Sequence, residues 1–85
     1  MAQDMLKELK NSSRVIGIKQ VTKVVTRGAA KTVFIAQDTE ERIREPLEAL
    51  CQEKNVPVIK VESMKELGKS CGIEVGAAAA AIVSP

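Results

Sequence analysis

The chain has 85 residues, of which 45% are hydrophobic and 28% charged, with a formal net charge of +2. This length and composition predict a single folded domain over residues 1–85 and exclude both a second independent core and an intrinsically disordered chain. Phe34 is the only aromatic residue and histidine is absent, which excludes a ring-stacking platform for bases, a histidine general base and the usual zinc ligand sets.

Taken in chain order, Asp4 is a cap for a first helix in which Met5, Leu6 and Leu9 are apolar and which ends at Asn11-Ser12-Ser13. Arg14-Val15-Ile16-Gly17 is too short for a helix and reads as a brief strand, with Gly17 allowing a tight turn into the next segment. Residues 17–28 form that segment, the most informative of the chain. On a helix they place Lys19, Gln20, Lys23 and Arg27 in an arc of roughly 100°, with Ile18, Val21, Val24 and Val25 mainly on the far side. Three like charges one turn apart repel each other by about 0.2–0.5 kcal/mol per neighbouring pair, a cost that a polyanion turns into attraction. Gly28 is placed to end this helix as the residue after its cap.

The β-branched, nearly continuous apolar run Lys31 to Ala36 predicts a strand covered on both faces. Asp38-Thr39 offers the start of a helix extending to Lys54, and Pro46 predicts a break near Ile43 to Glu45 with a new helix beginning at the proline. Asn55 closes that helix. A second strand comes next over Val56 to Val61, with Pro57 at its tolerated start. Ser63 and Glu66 fit a capping box for a short helix that Gly72 ends, and Lys65 and Lys69 on it make another basic pair. In the tail, Ala77 to Ala81 favour a helix by local propensity, whereas the alternation of helices and apolar strands favours a strand pressed closely by helices. The strand is the expectation, fed by an exposed loop over Gly72-Ile73-Glu74-Val75-Gly76.

Charge is unevenly distributed along the chain. Residues 1–36 carry seven cations against two anions, a net +5, and residues 37–85 carry six against nine, a net −3. One surface therefore faces an anion and another stays in water. Cys51 and Cys71 lie outside any C-x-x-C pattern and read as reduced, packed thiols of a cytoplasmic protein, with no metal or cofactor expected. No apolar run approaches the ~20 residues of a membrane span.

Three stretches together carry a family resemblance: G-I-K-Q-V-T-K-V-V-T-R-G, L-C-Q-E-K-N-V-P-V, and V-E-S-M-K-E-L-G-K-S-C-G-I-E-V-G-A-A. They resemble the kink-turn RNA-binding ribosomal proteins of the L-seven-Ae and L-thirty-e type, nearest to the small bacterial members of the YbxF type, and the likeness runs over residues 4–83. It implies an α/β fold, a three-layer α-β-α sandwich around a mixed four-stranded sheet, with the tail as a strand. It also implies a non-enzymatic, monomeric protein whose partner is RNA containing a kink-turn, a duplex sharply bent at a bulge followed by sheared G·A pairs, with the ribosome as one setting.

Carried over by position, the resemblance sets Gly17, Lys19, Gln20, Lys23 and Arg27 against the G·A pairs. The loop of Ile73, Glu74, Val75, Gly76, Ala77 and Ala78 is set against an extruded nucleotide. Lys23 keeps the family lysine, a donor to guanine O6 and N7, and Arg27-Gly28 also conforms to the pattern. Two reading positions depart from it: Lys19 stands where the family has asparagine, and Gln20 where it has glutamate. A donor-only point charge and an uncharged amide predict binding that is weaker, more salt-sensitive and less selective. The same departures motivate the alternative of a protein-interaction module of the translation machinery that has lost tight RNA recognition. A nucleotide-directed enzyme ranks third, because no nucleophile-base pair or Walker-type loop is visible.

Overall fold

The run Thr32-Val33-Phe34-Ile35 has branched or large side chains at every position, so it is stable only where both faces are covered. In the computed structural model, which describes residues 13–83, this run lies inside a seven-residue strand at the centre of the molecule. The elements in chain order are β1 (Arg14–Ile16), α1 (Ile18–Thr26), β2 (Ala30–Ala36), α2 (Glu41–Glu53), β3 (Val58–Val61), α3 (Met64–Ser70) and β4 (Ala79–Val83). The helix expected to start at Asp4 lies outside the described residues.

The strands form one mixed sheet in the order β1-β4-β2-β3. β4 is antiparallel to both β1 and β2, and β2 is parallel to β3. Period-two alternation then sorts the core. Val33, Ile35, Ala79 and Ala81 face Val21 and Val25 of α1 and Leu47 and Cys51 of α2. Phe34, Ala36, Ala80 and Ile82 face Leu67 of α3 and Cys71 at its C-terminal cap. The result is the expected three-layer sandwich, with α1 and α2 on one side and α3 on the other. The alanine tail is its inner strand because methyl side chains, all buried from Ala79 to Ala81, let helices approach both faces.

Each of the three helices among the described residues ends in the same way. The residue after the cap has positive φ, at Gly28 (73°), Asn55 (58°) and Gly72 (78°). Its N–H and the next one bond back to the last helical turn, as in Gly28 to Val25 O (3.0 Å) and Ala29 to Val24 O (2.9 Å). These are Schellman endings, which satisfy two orphan carbonyls and reverse the chain within two residues.

Two expectations for the middle of the chain are corrected. α2 is one continuous helix with Pro46 inside it. The missing proline N–H orphans the carbonyl of Arg42, which is solvent-exposed and can bond to water. Meanwhile Leu47 and Cys51, 2% and 0% exposed, anchor the later turns in the core. Burial of such side chains, about 1.5–3 kcal/mol each, offsets the roughly 3 kcal/mol cost of an interior proline. Nor does Asp38 begin this helix, whose N-terminal flanking residue is Glu40. Asp38 Oδ1 instead accepts the N–H of Met64 (2.8 Å), the first residue of α3.

α3 is therefore capped twice, since Ser63 Oγ also accepts from Glu66 N (3.1 Å). At its other end the Arg14 guanidinium donates to Cys71 O (2.7 Å), a cation placed at the negative end of the helix dipole. Asp38→Ala is expected to lower stability by about 1 kcal/mol, the usual worth of an N-terminal cap, read as a shifted urea midpoint at constant slope.

Cys51 and Cys71 are free and buried on opposite faces of the sheet, so they cannot pair. Burial raises both thiol pKa values; Glu48 adds to the effect at Cys51 and Arg14 opposes it at Cys71. Both thiols are thus held in the unreactive protonated form. No helix among the described residues is long and apolar enough to cross a membrane.

Candidate nucleic-acid interface

Gly17 is the corner on which the site turns. Its φ of 104° and ψ of 150° belong to a region that only glycine enters without strain. This conformation swings the chain from β1 into α1 and lets Gly17 N–H donate to Ala79 O (2.8 Å) at the start of β4. The first intrahelical bond comes next, from Val21 N–H to Gly17 O (2.9 Å). Among the described residues no side chain caps this helix, and no acidic residue occupies its first turn. The N–H groups of Ile18, Lys19 and Gln20 precede the first intrahelical bond and so have no partner within the helix, at the positive end of its dipole.

The two faces of α1 are divided as the sequence predicts. Val21 and Val25 are fully buried, whereas Lys19, Gln20, Lys23 and Arg27 are exposed. The four polar residues occupy one outward strip that begins at the uncapped end.

The loop of residues 73–78 is held in place by α3. The Schellman ending of that helix sends Ile73 N–H to Gly68 O (3.0 Å), and Ala77 N–H donates to Met64 O (2.9 Å). Between these two anchors the loop backbone lies directly on the helix. A Cβ at Gly68 would overlap the Val75 carbonyl, and one at Gly76 would come within 3.1 Å of Met64 Cβ. The loop side chains consequently divide. Ile73 packs against the Phe34 cluster and Ala77 is buried in it, Ala78 is half-buried, and Glu74 and Gly76 are exposed. Val75 projects into solvent at 70% exposure.

The hydrogen bond from Gly17 to Ala79 brings the two predicted stretches together, because Ala79 directly succeeds the loop. Ala36 N–H to Ala78 O (2.9 Å) and Gln37 N–H to Val61 O (2.8 Å) place the β2–α2 connection at the same end of the sheet. Sequence reasoning misses Asp38, Met64 and Gly68 as supports of this end. Met64 N–H donates to Asp38 and Met64 O accepts from Ala77 N–H, so Met64 links three separate segments. The signals available in the sequence are a glycine inside a helical run and an acidic residue just after a strand.

The outward side of α2 is unsuited to an anion. Glu41 hydrogen-bonds to and repels the exposed carboxyl of Glu45, raising its pKa. Arg42 engages Glu40 at 2.7 Å on the surface. An anionic ligand is thus directed to α1 and the loop rather than to this helix.

Together the layers and this edge define a three-layer α/β domain that presents an uncapped, cationic helix start beside an apolar loop. The chain belongs to the Ribosomal protein L7Ae/L30e/S12e/Gadd45 family, whose sequence profile matches residues 1–85. It is 48% identical over 77 residues to the RNA-binding protein YbxF of Geobacillus stearothermophilus, covering 91% of this chain and 94% of that one. It is 46% identical over 71 residues to an RNA-binding protein of Bacillus pumilus, covering 84% of this chain and 87% of that one. Among solved structures, the Giardia lamblia 15.5kD RNA binding protein matches with a TM-score of 0.90 at 28% identity, over 98% of this chain and 73% of that chain.

Proposed function

We propose that this protein binds kink-turns in structured RNA, of which ribosomal RNA and riboswitches are candidate carriers, and stabilises the bent form as a cytoplasmic monomer. Its action is binding, without a catalytic step: preferential affinity for the kinked conformer shifts the population toward it. The observation that carries this reading is the hydrogen bond from Gly17 to Ala79. It joins a helix start bearing Lys19, Gln20 and Lys23 to a loop whose Val75 is exposed. Such an edge offers donors to guanine edges and phosphates on one side and an apolar cover for an unstacked base on the other.

In this reading Lys23 reads a guanine of the G·A pairs, and Gln20 accepts from a guanine N–H through an uncharged carbonyl. Lys19 contributes phosphate attraction rather than base discrimination, and Arg27 extends the cationic strip. Restoring the family pair with Lys19→Asn and Gln20→Glu is the test. Affinities for a kink-turn and for the same RNA with Watson–Crick pairs in place of G·A are compared across a KCl series. The double variant is expected to improve discrimination by roughly tenfold, the worth of about one good base contact. It is also expected to flatten the log–log salt slope by about 0.7–0.9, the share of one lost phosphate contact. Unchanged discrimination and slope would contradict these roles.

Val75→Asp tests the loop separately. The side chain is exposed, so the melting temperature is expected to move little, while RNA affinity falls by about tenfold or more through lost apolar cover and added phosphate repulsion. A comparable loss of folding would make Val75 a core residue instead.

A further inference from the structure

The proposed reader helix and the loop leave one feature of the same end unused. On the outward side of the loop is a cleft of about 300 Å³, lined by Lys65 and Lys69 of α3 and by Ile73, Glu74, Val75 and Gly76. Its shape is set by backbone contacts between the loop and α3. Gly68 draws the Val75 carbonyl onto the helix and Gly76 rests on Met64. The loop therefore runs back along α3, one turn of which carries the two lysines. The backbone of the loop wall is anchored by hydrogen bonds near both of its ends, from Ile73 and from Ala77.

The charges in this cleft are unbalanced. Lys65 and Lys69 are exposed, stand one helical turn apart and make no ion pair among the described residues. Glu74 is the one carboxylate on the lining, which leaves a net positive cleft with an apolar wall. α3 also lies on the opposite face of the sheet from α1. Phosphates gathered by Lys19, Lys23 and Arg27 are thus not those that Lys65 and Lys69 can reach. The apolar wall is shared with the exposed Val75, so whatever nucleotide the loop covers brings its own backbone to the mouth of the cleft.

We propose that this cleft is a second seat for the RNA backbone, in which Lys65 and Lys69 hold a phosphodiester of the strand as it leaves the nucleotide covered by Val75. The inference rests on the kink-turn reading and extends it: the RNA is gripped from both faces of the sheet, with the loop between the two grips. Contacts of this kind position the strand and carry no base information. Removing them therefore weakens matched and mismatched RNA alike.

The test is Lys65→Gln with Lys69→Gln, titrated against an end-labelled kink-turn RNA and its Watson–Crick control from about 50 to about 200 mM KCl. The expected result is a log–log salt slope flatter by about 1.4–1.8, from 0.7–0.9 per lysine, with the preference for the kink-turn retained. Lys65→Arg with Lys69→Arg is expected to keep the original slope, since charge rather than shape is used. A glutamine variant that folds normally and keeps the original slope overturns the cleft while the kink-turn reading stands. Loss of preference without a change of slope also overturns it. If the unsubstituted protein fails to distinguish the two RNAs, the kink-turn reading fails and the backbone seat falls with it.

Discussion

Gly68→Ala is expected to lower the melting temperature by roughly 5–20 °C and to weaken RNA binding in the same variant. Local propensity argues the other way, because alanine stabilises a helix interior over glycine by about 1 kcal/mol. At this position, however, the added methyl lands on the Val75 carbonyl and within about 3 Å of that carbonyl carbon and of Gly76 Cα. These are backbone atoms, so no side chain can rotate away and the loop itself must lift. Overpacking of this kind costs about 1–3 kcal/mol and sometimes more, and each kcal/mol is worth about 4–8 °C in a domain of this size. Lifting the loop also strains the bonds from Ile73 to Gly68 and from Ala77 to Met64 and displaces Val75. Gly72→Ala separates crowding from backbone strain, because its Cβ meets nothing within 4 Å although its φ is positive. It is expected to destabilise while leaving affinity at saturating folded protein unchanged. A stabilised Gly68→Ala would mean that the loop does not rest on the helix.

Lys23→Ala is expected to reduce kink-turn affinity by about 10- to 100-fold, corresponding to about 1–3 kcal/mol for a base contact made by a charged donor. Lys23 is exposed on the strip opposite Val21 and Val25, so its removal leaves the α1 core contacts intact, and it also relieves repulsion with Lys19 and Arg27. Thermal stability is thus expected to be equal or slightly higher while affinity drops. The loss should be larger for the kink-turn than for a control duplex. Equal losses on both RNAs would reduce Lys23 to a phosphate contact.

Much of this arrangement is local and therefore visible in the sequence. The amphipathic pattern of α1, its glycine ends, the apolar run of β2 and the hydroxyl cap of α3 each depend on residues within a turn or a strand of one another. Pro46 misleads because its cost is local, whereas the compensating burial of Leu47 and Cys51 comes from the packed sheet. Asp38 misleads for the same reason: a carboxylate after a strand resembles a helix start, but its partner is the first N–H of α3, 26 residues later. Gly68 carries no signal beyond an apparent weakness in a short helix, because it serves by having no side chain where the Val75 carbonyl packs. For the proposed site, the amphipathic pattern marks the basic strip of α1, whereas the loop of residues 73–78 is assigned to RNA through the family resemblance. The hydrogen bond from Gly17 to Ala79 that sets them side by side depends on the order of the strands in the sheet.

The most direct measurement tracks the end-to-end distance of a doubly labelled kink-turn RNA by energy transfer, in the absence of Mg²⁺, as the protein is added. A parallel RNA carries Watson–Crick pairs in place of the sheared G·A pairs. Stabilisation of the bent form predicts a saturable shortening for the first RNA and none for the second. Bending of neither RNA, or equal bending of both, would contradict recognition of the G·A pairs by α1.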